Sequence, residues 1–270
     1  MRGSQGKREG REEMTLSVCM IAHNEEHHIG EALESVRFAQ EIIVADCEST
    51  DETALIARAF GAHVFSRPNL INLNVNKNFT FHQARCDYII CLDADEVVPR
   101  QTAQEIREVI RRERSEKGFY LPRRNYFLGK WLQHGGQYPD WQLRLFRRGQ
   151  GRFPEKHVHE RLRVDGPVAR LQNPLHHHPY ESPEECRHKL DFYTSFEAQH
   201  LLRAGVRTSP VTAWRYLYWK PGQRFLWRYI LKRGFLDGIQ GWRAIRMDMQ
   251  NFRRRYDKLR ELSRTARRSN

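Results

Sequence analysis

The chain has 270 residues, of which 39% are hydrophobic, and a formal net charge of +13. This length allows one large domain, or one domain with an extension, and the apolar content is enough to build a core. No apolar run reaches the ~18 residues of a membrane-spanning helix. Residues 14–100 carry 6 basic and 13 acidic side chains, whereas residues 201–270 carry 18 and 4. This asymmetry predicts an acidic, cation-binding or catalytic region followed by a segment that meets an anionic partner.

Strand-like apolar runs alternate with helical patterns along the first part of the chain. Strands are predicted at 16–21, 41–45, 62–65 and 88–92, and helices at 29–36, 49–60, 74–85 and 101–114. The helix at 49 is predicted from a capping box, in which Glu52 follows Ser49 by three positions. Such alternation is typical of βαβ units and therefore predicts an α/β fold with a mostly parallel sheet. Residues 1–13 are polar and are predicted to be a disordered lead.

Polar residues follow three of these strands at the point where each strand ends. They are Asn24-Glu25, Asp46, and the pair Asp93 and Asp95. Ligands of open α/β sheets bind beyond the carboxyl ends of the strands, so these residues are expected at one edge. Two aspartates separated by one residue after a strand fit a magnesium-type clamp for a diphosphate. The alternative is an acidic turn that caps the next helix.

Three sequence stretches carry a resemblance to a known family. They are IAHNEEHHIGEALESV, EIIVADCESTDETALIA and YIICLDADEVV, and in this order and spacing they resemble the nucleotide-sugar half of family 2 glycosyltransferases. The resemblance implies an inverting enzyme with a GT-A (Rossmann-like) fold, and the charge and helical spacing of residues 201–270 add a basic α-helical C-terminal extension. It places Ala22, Asn24 and Glu26 near the nucleoside, Asp46 on the uracil with Ser49 and Asp51 beside it, Lys77 and Asn78 on the nucleotide, Asp93 on the sugar and ribose, and Asp95 on the metal.

The resemblance continues through PDWQLRLFRRG, KHVHERL and YILKRGFLDGIQGW. These stretches are similar to the subgroup that adds glucose or a related sugar to the inner core of lipopolysaccharide. It implies a UDP-sugar donor, with UDP-glucose favoured, Mg²⁺ or Mn²⁺, and a lipid-linked saccharide acceptor. The implied catalytic domain covers residues 14–200, with a nucleotide half at 14–100 and an acceptor half at 101–200, followed by the extension at 201–270.

An inverting transfer needs one carboxylate that deprotonates the acceptor hydroxyl. Asp140 is the preferred candidate, because it precedes Trp141 in a pattern similar to the family's acid-x-x-Leu step at the acceptor helix. Glu160 is the alternative, and His159 beside it is a candidate metal ligand, as is one residue of the 176–178 histidine run. Arg144 is expected either on the diphosphate or in a pair with a surface acid.

The C-terminal segment combines basic and aromatic residues. Its apolar residues recur at helical spacing in a stripe composed of Trp242, Ile245, Met249, Phe252, Tyr256 and Leu259. One interpretation is a helix whose stripe faces an anionic membrane, which predicts a cytoplasmic protein held peripherally on the inner face of that membrane. The other is that the stripe packs on the catalytic domain or on a second copy of the chain. Nucleic acid is not favoured, because no recognisable RNA-binding motif is present.

Two other functional classes compete with the glycosyltransferase. The stretch DADEV also fits the D-x-D-x-[TV] shape of haloacid-dehalogenase-type phosphohydrolases, although it ends the fourth predicted strand rather than the first. A non-enzymatic lipid- or RNA-binding protein would account for the basic tail but would not explain the acidic residues that follow the strands. Five cysteines without a C-x-x-C pair predict reduced thiols rather than a disulfide or zinc site.

Overall fold

A computed structural model of the protein describes residues 14–70, 72–112, 114–155 and 160–268. These residues form two compact units. The first unit contains the described residues from Met14 to Pro122 and from Trp141 to Leu175, and the second contains Arg123–Asp140 and the described residues from His176 onward. The predicted lead at residues 1–13 and the candidate ligand His159 lie outside the described residues.

The elements of the described residues follow one another in this chain order: β1 (Leu16–Ala22), α1 (Ile29–Ser35), β2 (Glu41–Asp46), α2 (Thr53–Ala59), β3 (His63–Ser66), α3 (Leu73–Gln83), β4 (Tyr88–Asp93), β5 (Glu96–Val97), α4 (Arg100–Arg111), β6 (Gly118–Phe127), β7 (Lys130–Trp131), β8 (Asp140–Arg147), β9 (Gly151–Arg152), β10 (Arg163–Val164), β11 (Val168–Arg170), β12 (Leu175–Tyr180), α5 (Pro183–Arg203), α6 (Pro210–Trp214), a π-helical turn (Arg215–Trp219), α7 (Lys220–Phe225), a second π-helical turn (Leu226–Leu231), a 3₁₀ turn (Gly234–Asp237) and α8 (Gly238–Arg268).

The first unit is built on a sheet whose leading four strands are parallel. Their order is β3-β2-β1-β4, and β8 then joins β4 in antiparallel orientation. Strand β6 follows β8, and β11 pairs with β6 in parallel. The predicted α/β class, with a mostly parallel sheet over the nucleotide half, is therefore confirmed.

Strands β1, β2 and β4 are buried on both faces. Successive side chains of a strand point to opposite sides of the sheet, and each side is covered by other elements. On one face Leu16, Val18 and Met20 pack with apolar residues of α1, α2 and α4. On the other face Cys19 and Ile43 pack with Phe81 of α3 and with aromatic residues that follow β8 or lie in it. All five cysteines are free.

The predicted capping box at Ser49 is wrong. Helix α2 begins at Thr53, and its N-cap Glu52 makes no side-chain cap hydrogen bond. The Ser49 hydroxyl instead accepts a hydrogen bond from the backbone N–H of Asn24 at 3.0 Å. The Ser49 hydroxyl, which the local pattern predicted to cap α2, is therefore bonded to a neighbouring loop instead.

The second unit contains β7, the later part of β6, most of β12 and the C-terminal helices. Its longest helix, α8, packs against α5 and α7. Three members of the apolar stripe, Ile245, Tyr256 and Leu259, are no more than 4% exposed. The interpretation of this stripe as a membrane-facing surface is wrong, because these three side chains are buried inside the second unit and the other three, Trp242, Met249 and Phe252, are half-buried.

Among the described residues, no helix combines the length and apolar character needed to cross a bilayer.

Candidate active site

Three parallel strands of the first unit end at the same edge of the sheet. In the registers, Ala22 of β1 lies opposite Asp46 of β2, and Ile21 of β1 lies opposite Asp93 of β4. Asp46 and Asp93 are thus separated by one strand, which corresponds to about 10 Å, twice the strand spacing. These acids therefore converge on one edge of the sheet, as the alternation of strands and helices predicted.

Asp46 is a buried carboxylate with an unused acceptor. Its residue is 8% exposed, and among the described residues its Oδ1 atom has no hydrogen-bond partner. A buried polar atom without a partner costs about 1–3 kcal/mol. At the mouth of a parallel sheet, such an atom is best explained by a ligand that donates a hydrogen bond to it.

The loops that follow β1 and β2 are tied to each other. Asn24 adopts a left-handed backbone with φ of 54°. Its side-chain oxygen accepts a hydrogen bond from the Thr50 backbone N–H at 2.8 Å, and its own N–H donates to Ser49. The structure therefore gives Asn24 and Ser49 a loop-fixing position, and a direct contact with a nucleoside stays a prediction for both.

Asp51 and Glu26 complete the same connection. The Glu26 backbone N–H donates to Asp51, and the Glu52 N–H donates back to the Glu26 carboxylate. Asp51 also accepts from the backbone N–H and the hydroxyl of Thr53. Burial alone would raise the pKa of Asp51, but these hydrogen bonds outweigh it and hold the pKa below its usual value. Asp51 is consequently a charged anchor at the start of α2.

Helix α3 places two of the predicted residues in different roles. Lys77 Nζ donates to Asp93 Oδ1 at 2.6 Å. Asn78 donates to the Phe153 carbonyl and accepts from the Phe153 N–H, at 2.8 and 2.9 Å. Lys77 thus belongs to the acidic edge, whereas Asn78 holds the segment after β9 in place.

Asp93 belongs to a compact network of two cations and two carboxylates. Arg144 Nη2 donates to Asp93 Oδ2 at 2.5 Å and to Glu96 Oε1 at 2.6 Å. Arg144 is 5% exposed and Glu96 is fully buried. Burial would lower the pKa of Lys77 and of Arg144, but the attraction of Asp93, joined at Arg144 by that of Glu96, raises both pKa values. Both basic groups therefore stay charged beneath the sheet edge.

Asp95 lies half-buried in the turn between β4 and β5. Asp95 is the second carboxylate of the D-x-D pair, and a carboxylate in this turn suits a divalent cation. Mg²⁺ and Mn²⁺ need only one or two protein carboxylates when substrate phosphates and water supply the other ligands. Within the described residues, no group of three or more His, Cys, Asp or Glu could enclose a metal ion by itself. The donor set fits a metal shared with a diphosphate.

Asp140 is described within the second unit. It opens β8, so the expectation of an acceptor helix at this position is wrong. Its Oδ2 atom accepts from Arg123 Nε and Nη2 at 2.9 and 2.7 Å, and from Asn125 Nδ2 at 3.2 Å. Asn125 in turn meets the His177 ring at 2.7 Å. This chain of contacts fixes the orientation of the Asp140 carboxylate.

The remaining candidates have simpler positions. Glu160 is half-buried in the first unit, next to the undescribed residues 156–159. The run of His176, His177 and His178 lies in β12 rather than in a loop. His176 and His178 both contact the Tyr126 ring, so neighbouring histidines divide between the two faces of the strand.

Sequence reasoning missed Glu96 and Asn76 as parts of this edge. Glu96 was visible as the third acid of the DADE stretch, but only the tertiary pairing with Arg144 shows why it is buried. Asn76 is fully buried, where its amide donates to the Pro68 carbonyl at 2.9 Å and to Cys47 Sγ at 3.2 Å. Helix α3 contains several polar residues, and nothing in the sequence distinguishes Asn76 from the others as the one that makes these buried contacts.

The family model described as "Glycosyl transferase family 2" matches residues 17–163, more than half of the chain. The chain belongs to glycosyl transferase family 2. This match covers the whole parallel half of the sheet together with Asp46, Asp93, Asp95 and Arg144. The family 2 protein is therefore a glycosyltransferase with the mixed α/β, GT-A type of fold, and the phosphohydrolase and non-enzymatic alternatives are set aside.

Relatives of this family 2 chain share about a quarter of its residues. The lipopolysaccharide core biosynthesis glycosyltransferase LpsC of Rhizobium meliloti (strain 1021) is 28% identical over 243 residues, which cover 84% of this chain and 88% of that protein. An uncharacterized glycosyltransferase of Rickettsia typhi (strain ATCC VR-144 / Wilmington) is 27% identical over 240 residues, which cover 84% of this chain and 80% of that protein.

Solved structures give weaker matches. A crystal structure of S. aureus TarS matches with 15% identity and a TM-score of 0.46 over 95% of this chain and 92% of that one. The mannosyltransferase PcManGT from Pyrobaculum calidifontis, in complex with GDP-Man and Mn²⁺, matches with 13% identity and a TM-score of 0.48 over 88% of this chain and 74% of that one.

Proposed function

We propose that this family 2 glycosyltransferase moves a hexose, with inversion, from a UDP-sugar to a lipid-linked saccharide acceptor of the lipopolysaccharide core. The role of the Rhizobium meliloti relative LpsC in lipopolysaccharide core biosynthesis supports the choice of acceptor class. UDP-glucose is the preferred donor in this proposal, as the sequence resemblance implies.

The observation that carries the choice of a uridine donor is the unpartnered Asp46 oxygen. A uracil ring presents an imide N–H, and a buried carboxylate is a strong acceptor for such a donor. The neighbouring loop from Asn24 to Glu26 is already fixed by its bonds to Ser49 and Asp51. A rigid slot at the end of β1 and β2 would bind the base with little loss of conformational freedom.

The acidic edge supplies the second half of the donor site. Asp93, oriented by Lys77 and Arg144, would accept hydrogen bonds from the ribose and the sugar. A divalent metal held by Asp95 would stabilise the charge of the leaving diphosphate. Asp140 would take the proton of the acceptor hydroxyl, with Glu160 as the alternative base. Ala22, Glu26 and Asn78 stay in the proposed donor site through the resemblance alone.

Three further statements belong to the proposal. The protein would work at the cytoplasmic face of the inner membrane as a peripheral protein, and its self-association is left open.

The division into a catalytic region at 14–200 and an extension at 201–270 also remains a prediction. Residues 123–140 belong to the same compact unit as residues 176 onward, so the compact units follow a different division of the chain.

A donor panel tests the proposed reaction. UDP-glucose, UDP-galactose, UDP-N-acetylglucosamine and p-nitrophenyl phosphate are each incubated with the protein and a lipid-linked core saccharide as acceptor, with and without Mn²⁺. We expect Mn²⁺-dependent release of UDP, and we expect Asp95→Ala to abolish it. Release of phosphate from p-nitrophenyl phosphate without any nucleotide turnover would contradict the proposal.

A pair of variants tests the base. Asp140→Asn should bind the donor as the wild type does and should lose transfer to acceptor, because the amide cannot take the proton. Glu160→Gln should keep transfer within a few-fold of the wild type. The reverse pattern, an active Asp140→Asn and an inactive Glu160→Gln, would assign the base to Glu160.

A further inference from the structure

Exposed apolar side chains are concentrated in one segment of the second unit. Of the sixteen large hydrophobic residues that are exposed among the described residues, eleven lie between Val211 and Ile239. Tyr218 and Leu231 are each 66% exposed, and Val211 is 75% exposed. Such a concentration of exposed apolar side chains indicates an interaction site rather than ordinary surface.

Eight of these eleven residues lie in a single helical run, and Phe235, Leu236 and Ile239 follow it. Residues 210–231 are helical throughout, because the two π-helical turns join α6 and α7 without a break. Exposed neighbours recur every four residues, at 214/215, 218/219, 222/223, 226/227 and 230/231. A repeat of four would drift around a regular α-helix, whereas the wider π-helical turns lengthen the period. The exposed apolar residues of the run therefore stay aligned, and we call them, together with the exposed residues that follow up to Ile239, the docking face.

The opposite side of this run is fixed to the protein. Tyr216, Pro221 and Arg228 are buried. The Tyr216 ring stacks on Tyr256 of α8, with 6.2 Å between ring centroids, and Arg228 is paired with Asp248. Because α8 contributes its apolar stripe to this packing, the docking face is held on a rigid support.

The charge around the docking face has one sign. Between Glu197 and Asp237 the chain contains eight Lys or Arg residues and no acidic residue. Arg215, Lys232 and Arg233 are exposed. Tryptophan and tyrosine side chains, here including the stacked pair Trp214 and Trp219, favour the boundary between headgroups and acyl chains. Basic residues beside such an apolar face are attracted to anionic headgroups.

We propose that the docking face binds a bilayer surface rich in anionic phospholipid, with residues 210–231 lying in the plane of the membrane. This inference deepens the proposed function, on which it rests for the lipid-linked acceptor. It assigns membrane contact to the docking face, whereas the apolar stripe of α8 packs inside the second unit. A segment with this charge and these aromatic residues suits a headgroup layer better than a second copy of itself, because two such faces would repel each other.

Vesicle sedimentation of the full chain tests the proposal with a matched pair of double variants. The test variant is Tyr218→Glu/Leu231→Glu. The control is Leu55→Glu/Phe192→Glu, which alters side chains that are 62% and 67% exposed and makes the same change in charge. The probes are vesicles of phosphatidylcholine alone and vesicles containing a third phosphatidylglycerol.

The wild type and the control should bind the phosphatidylglycerol vesicles and should release them in high salt. The test variant should bind at least about tenfold more weakly, because burial of two large apolar side chains is lost. Equal binding by test and control variants, or no binding by the wild type, would overturn the proposal. A third outcome would assign the docking face to self-association instead: the wild type forms a dimer without lipid, the test variant is monomeric, and neither protein binds vesicles.

Nucleotide binding by the same proteins separates this inference from the proposed function. UDP binding by the test variant should match the wild type in the absence of vesicles. If the wild type binds UDP but does not bind vesicles, the docking inference is overturned and the proposed function is not. A wild type that binds vesicles and not UDP leaves the docking face in place and contradicts the donor site.

Discussion

At the scale of single residues, the ion-pair network at the sheet edge combines stability with function. Glu96 is fully buried and shares the Arg144 guanidinium with Asp93. Removing one partner of a buried pair is costly, because the remaining charge stays in a medium of low polarity. The network can therefore be tested by unfolding measurements that do not depend on any ligand.

We expect Arg144→Met to lower the free energy of unfolding by about 3 kcal/mol. The double variant Arg144→Met/Glu96→Gln should recover part of this loss, because the neutral amide tolerates burial better than the carboxylate. Urea unfolding followed by circular dichroism measures both. The control is Arg37→Met, which removes an exposed pair with Glu34 and should cost less than about 1 kcal/mol. An equal loss in Arg144→Met and Arg37→Met would contradict the role given to the network.

At the scale of elements, local pattern predicted the four parallel strands and the helices α1 to α4, and it made no prediction of the later strands of the first unit. It failed where a tertiary contact takes over a local signal. Ser49 was predicted to cap α2, yet it binds the loop of Asn24, and no property of the sequence near Ser49 reveals that partner. Likewise the stripe of α8 has the spacing of an amphipathic helix, and spacing alone cannot distinguish a surface of lipid from the packed helices α5 and α7.

Close packing of α8 on the preceding 3₁₀ turn gives a prediction at this scale. A Cβ atom at Gly241 would lie 2.4 Å from the Gly234 carbonyl oxygen and 2.8 Å from Asp237 Cβ. We therefore expect Gly241→Ala to lower the free energy of unfolding by about 1–3 kcal/mol, since backbone must move. Gly222→Ala is the matched control: a Cβ there meets nothing within 4 Å, and alanine should stabilise the helix by about 0.5–1 kcal/mol. Thermal unfolding of both variants decides, and equal melting temperatures would contradict the packing.

At the scale of the whole molecule, the sequence predicted the α/β class and the edge of the sheet at which the acids meet. Both follow from the alternation of strands and helices, because that alternation imposes parallel strands and places their carboxyl ends together. The buried role of Glu96 and the exposed face at 211–239 could not be predicted in the same way. They depend on which side of an element is covered, and that is decided by distant parts of the chain.

Acid stability is a further property of the whole molecule. Hydrogen bonds from Thr15, first from its backbone N–H, keep the pKa of Asp87 below its usual value. A carboxylate with a lowered pKa in the folded state stabilises the protein above the unfolded pKa of about 3.9, and this contribution is lost as pH falls through the folded pKa. The melting temperature of Asp87→Asn should therefore lie below that of the wild type at pH 7 and approach it near pH 3. Calorimetric curves that stay parallel from pH 7 to pH 3 would contradict this.

The central claim is that the edge formed by β1, β2 and β4 binds a uridine nucleotide through Asp46. Calorimetric titration of the protein with UDP in the presence of Mn²⁺ tests it most directly. We expect Asp46→Ala to weaken UDP binding by at least about tenfold, the effect of losing a hydrogen bond to a charged group. Asp87→Ala makes the same chemical change at the opposite edge of the sheet and should bind UDP as the wild type does. Undiminished UDP binding by Asp46→Ala would contradict the account.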